Sequence, residues 1–447
     1  MSNAPTISQT QEDYSLKNYW SLFFVQLQGA FSDNLFKFLV IFTSIDIAGV
    51  NEAQRDFRLF LIAAVFALPF ILFSMTSGCL ADRFSKAKVI TWTKRAEIMI
   101  MCIGLIALKT LNFYVMLGVI FLMSVQSAVF GPAKYSSLPE ILPNHKLSWG
   151  NGIFSLGTFF GIIAGGVAAG ELSTYLGPEN VWKCGFILIA LAVIGAVISR
   201  LMERKPAANP SKKIEWKFWN ELRKNLKLVS KNRVLSLAIL GCVYFWLLGA
   251  LYEPTLLVFG KDALGLDNNQ ISIMRACMAI GIAVGSFAAG YLSGNKIEYG
   301  LIPLGSLGIA GTSVGLGVLG FGYVGSSVLL TILGFSAGFF IVPIMALIQQ
   351  LPERGEKGSV LAVNGWLNSA GIFLAAFIFL IMKIFFGIDA GTMFWIIGAM
   401  TVAGTSYAVW LVSDSLARFM LWALTHTLYR IKILGRQNVP IRGGALL

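Results

Sequence analysis

Asp33 and Lys37 stand four residues apart inside a long apolar run, Phe31-Ser32-Asp33-Asn34-Leu35-Phe36-Lys37-Phe38. In a helix that spacing puts the carboxylate and the ammonium on one face. A charge near the centre of a membrane helix costs at least a few kcal/mol, which makes it a functional residue by default. Asn34 and Gln26 add amides to the same run, and Glu253 and Arg275 each interrupt a later one. Such a set can do three things. It can bind complementary charges on a ligand, a carboxylate (Asp33 or Glu253) can carry a coupling proton, or the charges can neutralise one another in structural or gating pairs. Glu97, Glu171 and Gln126 are secondary candidates, with Lys94 close enough to pair with Glu97.

The elements that must position these groups are apolar and long. The chain is 56% hydrophobic and 13% charged over 447 residues, against roughly 25% charge in a soluble domain. Twelve runs of helical length follow one another: about 19–45, 57–80, 88–108, 112–130, 148–175, 181–202, 234–258, 270–293, 300–320, 324–348, 359–382 and 391–413. About 20 apolar residues cross a bilayer as a helix, so the expectation is an all-α membrane protein of 12 transmembrane helices. The first 18 residues are polar, with no cleavable leader pattern, so the first run reads as a retained span. Five cysteines lie in or beside apolar runs without paired spacing, which points to packing and to neither disulfide nor metal. No cofactor is expected.

The charge of +13 is compatible with nucleic acid, but its distribution points to a membrane. With the N-terminus inside, inner segments hold 27 Lys and Arg, outer segments six, and Lys37 and Arg275 remain within the membrane. That is a strong positive-inside bias, with both termini cytoplasmic and no nucleic-acid partner. The expected divisions are a cytoplasmic segment 1–18, a six-helix half 19–202, a linker 203–233, a second half 234–413 and an amphipathic tail 414–447. In the linker, Ile214-Glu215-Trp216-Lys217-Phe218-Trp219-Asn220-Glu221-Leu222-Arg223-Lys224 interleaves aromatics with bases. That pattern suits either an amphipathic helix on the inner membrane surface or a plain connector.

The halves repeat. Leu138-Pro139-Glu140 recurs as Leu351-Pro352-Glu353 and Asn151-Gly152 as Asn364-Gly365, both 213 residues on. Gly78-Cys79-Leu80-Ala81-Asp82 aligns with Gly290-Tyr291-Leu292-Ser293-Gly294 at an offset of 212. Two pseudo-symmetric six-helix halves in parallel repeat are the architecture of the major facilitator fold. Glycines at Gly157, Gly161, Gly165 and Gly170, and at Gly281, Gly285 and Gly290, allow close helix approach. Their expected place is the moving interface between the halves.

Gly78 through Lys88 (Gly-Cys-Leu-Ala-Asp-Arg-Phe-Ser-Lys-Ala-Lys) resembles the major facilitator signature between the second and third helices. Ser85 stands where that signature has glycine. The resemblance gives Gly78, Asp82, Arg83 and Lys86 the part of a conformational latch. Phe31-Ser32-Asp33-Asn34 and Phe130-Gly131-Pro132-Ala133-Lys134-Tyr135 together resemble the lysophospholipid transporter branch of the superfamily, over essentially the whole chain. That branch moves lysophosphatidylethanolamine and related lysolipids from the outer to the inner leaflet of the bacterial inner membrane for re-acylation. In the superfamily, helices 1, 7 and 8 line the central cavity. The resemblance therefore implies a headgroup site: Arg275 and Lys37 for phosphate, Asp33 and Glu253 for amine or hydroxyl, with Asn34 and Gln26 nearby. Lys134 and Tyr135 are expected at the inner leaflet, as headgroup contact or as a topological anchor.

The tail from Leu424 to Pro440 is similar to the lead-in of a glycerolipid acyltransferase domain. Position 150, five after His145, is glycine, and position 431, five after His426, is isoleucine, so no H-x4-D catalytic pair is present. The expectation is the transporter part of a transporter–acyltransferase fusion, itself not an enzyme, monomeric, with membrane lipids and the fused acyltransferase domain as partners. Two other readings stay open: a proton-coupled small-molecule or drug exporter, and a non-transporting membrane scaffold for the acyltransferase.

Overall fold

The computed structural model describes residues 16–46, 52–212, 218–266, 268–294, 296–318 and 321–427. The regular elements among the described residues are all helices, without strands, as a bilayer requires of a chain that must satisfy every backbone group internally. The first six long helices are α1 (Leu16–Asp46), α2 (Glu52–Arg83), α3 (Lys86–Thr110), α4 (Phe113–Ile141), α5 (Leu147–Asn180) and α6 (Cys184–Ser199). After the linker come α7 (Phe218–Ser230), α8 (Arg233–Val258), α9 (Asn268–Leu292), α10 (Leu301–Gly317), α11 (Gly322–Gln350), α12 (Lys357–Leu380) and α13 (Ala390–Thr427). Side-chain caps mark several starts: Asn112 accepts from the Tyr114 and Val115 amides, and Asn232 from Leu235, each replacing a partner that the first helical turn lacks. Linker residues 213–217 and the tail beyond Thr427, which holds most of the acyltransferase-like stretch, lie outside the described residues.

Eight helical stretches are long and apolar enough to cross a membrane by length and composition, and α10 is apolar but only 17 residues long. α1 and α3 are absent from that set because the polar residues of interest lie inside them: Gln26, Asp33, Asn34 and Lys37 in one, Lys94, Arg95 and Glu97 in the other. α7 is short, with Arg223, Lys224 and Lys227 exposed on one face and Leu222 and Val229 buried on the other.

The pairings inside the two halves match. α1 packs on α5, α2 on α4, and α3 on α4 and α6; α8 packs on α12, α9 on α11, and α10 on α11 and α13. Between halves, α5 meets α9 and α2 meets α12. One buried apolar cluster runs through both halves (Tyr19, Leu142 and Phe154 with Ala289, Ile348 and Val360), while a second (Leu35, Phe36, Met101, Met116) belongs to the first half alone. The halves are thus joined at the end carrying the α2–α3 loop, hereafter the basic end, and the second cluster shares no core with the opposite half.

Most of the repeated glycines serve another interface than the sequence suggested. Gly157, Gly161 and Gly165 face Phe23, Leu27 and Phe31 of α1, in their own half. Gly281 and Gly285 face Thr331 and Phe335 of α11, also in their own half. Spacing shows that a helix has a smooth face; it does not show which neighbour takes it. Only Gly290, against Ser148 and Gly152 of α5, lies between halves. A methyl group on Gly285 would overlap the Phe335 carbonyl oxygen, whereas one on Gly249 meets nothing within 4 Å. Gly285→Ala is expected to cost about 3 kcal/mol through overpacking and Gly249→Ala far less, measured as melting of the purified protein.

Candidate substrate site and gate

Lys37 and Asp33 do share a face of α1, and both are partly exposed, yet no ion pair joins them among the described residues. Asp33 Oδ2 instead accepts from Ser127 Oγ of α4 at 2.7 Å. The Lys37 ammonium lies 5.1 Å from the ring centroids of Phe38 and of Phe66 on α2, within cation–π range. It also feels the carboxylates of Asp33 and, from the opposite half, Glu253. Asn34 bonds back to the Ala30 carbonyl at 2.8 Å.

Lys134 does not point to a bilayer surface. Its ammonium donates to Gln26 Oε1 at 2.7 Å, and Gln26 Nε2 donates to Thr158 Oγ1 at 3.0 Å. The rings of Phe130 and Tyr135 lie 5.0 Å away. Gln26, 4% exposed, thus holds Lys134 toward α1, where its charge acts on Asp33. Tyr135 packs edge-on against Phe154 with centroids 5.9 Å apart. The wall presented by the first half is then Lys134, Asp33 and Lys37, with alternating sign.

Behind this wall lies a closed polar cluster. Lys94, 1% exposed, donates to Glu97 at 2.7 Å and to Gln28 at 2.8 Å; Gln28 donates to Glu97 at 2.8 Å and to Ser32 at 2.9 Å. A buried ion pair is tolerable when its remaining hydrogen-bonding groups are satisfied, and Gln28 does that here. The sequence count placed Lys94 on the basic surface. The fold turns it inward because Gly195 of α6 and Gly29 of α1 leave room for the Gln28 amide and the Lys94 ammonium. Lys94 and Glu97 are paired with each other at 2.7 Å.

In the second half, Arg275 Nη1 of α9 lies 3.3 Å from Glu253 Oε1 of α8. Both groups interrupt apolar helices, yet their side chains are 36% and 57% exposed. Arg275 Nε is buried without a partner, so part of the guanidinium is unsatisfied by the protein.

At the basic end a hydrogen-bond network joins the two halves and the linker, the candidate gate. Asp82, fully buried, accepts from the amides of Gly358 (2.8 Å) and Ser359 (3.0 Å) at the start of α12 and from Lys212 Nζ of the linker (2.8 Å). Lys212 also bonds Ser359 Oγ, and the Asp82 carbonyl accepts from the Asn209 amide at 2.9 Å. A carboxylate at a helix N-terminus is favoured by orphan amides and by the helix dipole. A Cβ on Gly78 would come within 2.5 Å of Ala362 Cβ, so glycine lets α2 approach α12. Lys86 bonds Glu140 of its own half at 2.5 Å, and Arg83 lies over the Phe84 ring at 5.7 Å. Asn151 of α5 and Gln349 of α11 exchange reciprocal hydrogen bonds of 2.9 Å.

Lys212, Ser127 and the Asn151–Gln349 pair were not singled out by the sequence. The Asn151-Gly152 repeat drew attention to Asn151; nothing in the linker's composition marked Lys212 as a gate residue.

Residues 22–376 match the family model of the Major Facilitator Superfamily. The chain is 30% identical over 356 residues to the lysophospholipid transporter LplT of Escherichia coli O9:H4 (strain HS), covering 75% of this chain and 83% of that protein. It is 29% identical over 402 residues to LplT of Citrobacter koseri, covering 85% and 93%. Its fold is similar to that of the human organic anion transporter MFSD10 (TETRAN), with a TM-score of 0.71, 14% identity and coverage of 88% and 99%. It is also similar to the transporter FucP in the outward conformation, with a TM-score of 0.71, 13% identity and coverage of 88% and 98%. The chain is therefore a multi-pass membrane transporter, not an enzyme, that belongs to the lysophospholipid transporter branch of the Major Facilitator Superfamily.

Proposed function

We propose that this protein carries lysophospholipids, lysophosphatidylethanolamine among them, from the outer to the inner leaflet of the bacterial inner membrane by alternating access with lateral lipid entry. The observation that carries the reading is the set of opposite charges on the two walls: Lys134, Asp33 and Lys37 on one, Glu253 and Arg275 on the other. A zwitterionic headgroup has a phosphate for Arg275 and Lys37 and an ammonium for Asp33 and Glu253. Arginine suits the phosphate because its planar fork makes paired charge-assisted bonds, and the unsatisfied Arg275 Nε supports that assignment. The positive-inside bias supports a cytoplasmic basic end with both termini inside. The closed gate then makes this state outward-open, with the contacts of Gly78 and Asp82 to α12 breaking as the halves rock, while Arg83 and Lys86 keep partners in their own half. Delivery at the inner leaflet would serve an acyltransferase, the domain that the tail resembles.

The test is uptake of labelled lysophosphatidylethanolamine by vesicles holding the purified protein, compared with soluble amines and sugars. Lysolipid flux above protein-free vesicles is expected; flux of only the soluble solutes rejects the reading in favour of a small-molecule exporter. That second reading has one observation behind it: among the described residues Asp33 accepts a hydrogen bond from a hydroxyl and forms no ion pair, which suits a carboxylate that exchanges a proton. Lys134→Ala is expected to lower lysolipid uptake about tenfold, the size of one charge-assisted hydrogen bond. Wild-type uptake by Lys134→Ala would remove that residue from the path.

A further inference from the structure

A charged cleft lies beside the candidate gate. At the basic end a cleft of about 310 Å³ opens where both halves and the linker meet. Pro139 and Glu140 come from the end of α4, Lys205 from the linker, and Pro352, Arg354 and Lys357 from the turn into α12. The single lining carboxylate is already engaged. Glu140 Oε1 takes Lys86 at 2.5 Å, and Arg354 Nε stands 3.8 Å from the same oxygen, too long for a hydrogen bond. Lys205 Nζ donates to the main-chain carbonyl of Glu140 at 2.5 Å, which leaves its charge uncompensated. Lys357 makes no hydrogen bond or ion pair among the described residues. Of the nearby acids, Glu203 is turned to Asn18, and Glu353 and Glu356 do not line the cleft. Three lining cations, Lys205, Arg354 and Lys357, thus share the cleft with one carboxylate that Lys86 already holds, and donor positions are left over.

The geometry points to an effector site for a phosphate-type anion in this cleft, bridging Lys205, Arg354 and Lys357. The volume suits a phosphate or a lipid headgroup, and converging like charges gain most from a bound anion. The lining comes from the first half, the linker and the second half, so the cleft is assembled only while the basic end is closed. A ligand that binds one state better shifts the population toward it, so the anion favours the closed gate. The site lies across the gate from the Asp33–Arg275 set, and the inference stands whatever that set transports.

The test uses the purified full chain in phosphate-free detergent buffer. Inorganic phosphate is titrated against sodium chloride at matched ionic strength, and melting and hydrogen exchange of the first turn of α12 are followed. Phosphate is expected to raise the melting temperature and slow that exchange beyond chloride. Lys205→Gln and, separately, Arg354→Gln are expected to weaken the apparent phosphate affinity about tenfold, and Lys205→Arg to retain it. A parallel arm compares vesicles of phosphatidylglycerol with vesicles of phosphatidylcholine without phosphate. A response to phosphatidylglycerol that Lys205→Gln removes supports the site with a lipid headgroup as the source; a response confined to phosphate supports it with a soluble source. Phosphate acting no differently from chloride, with no lipid effect, overturns the proposal. So does a full response in both glutamine variants when each melts cooperatively.

Discussion

Arg275→Ala in reconstituted vesicles is expected to lose lysolipid uptake at least 100-fold while the protein inserts and melts as wild type. Truncating one member of a charge-paired contact to a bound ligand costs about 3 kcal/mol, which is about two decades in affinity or rate. The competing account makes Arg275 a neutraliser of Glu253, from which it lies 3.3 Å away. The two accounts separate on the double variant. If Arg275 only neutralises, Arg275→Ala with Glu253→Ala removes both charges together and uptake returns. If Arg275 holds the phosphate, the double variant stays inactive. Exposure favours the second outcome, since an ion pair with both side chains a third or more exposed contributes little to stability. Arg275→Lys is expected to recover a part only, because lysine keeps the charge but not the fork.

Asp82→Asn is expected to open the basic end. The carboxylate is fully buried and holds two amides and Lys212, and breaking one member of a buried pair costs about 3 kcal/mol or more. Because those partners lie across the gate, the cost falls on the closed state and shifts the equilibrium about 100-fold toward the open one. A cysteine at Ser148, fully buried beside Gly290, reports this in a background without the native cysteines. Thiol labelling from the basic side should accelerate at least tenfold in Asp82→Asn. Unchanged labelling would refute Asp82 as the gate. Lys212→Gln should shift labelling the same way but less, since Asp82 keeps its two amides.

The sequence by itself determined the helices, their division into two repeated halves and the charges that a bilayer would not tolerate without use. Those follow from composition and spacing along one chain: apolar runs of bilayer length, offsets of 212 and 213, and isolated charges at Asp33, Lys37, Glu253 and Arg275. Only the tertiary structure decided the partners. Four residues of separation placed Asp33 and Lys37 on one face, but Ser127 of α4 took the carboxylate and the Phe66 ring of α2 lies beside the ammonium. Lys94 and Lys134 counted as surface charges until Gln28 and Gln26 of α1 drew them inward. The glycine faces went to α1 and α11 within each half, and the gate gained Lys212 from a linker that carries no motif. In each case the deciding contact is between helices, set by which faces pack together, and spacing along a single helix holds no record of that choice.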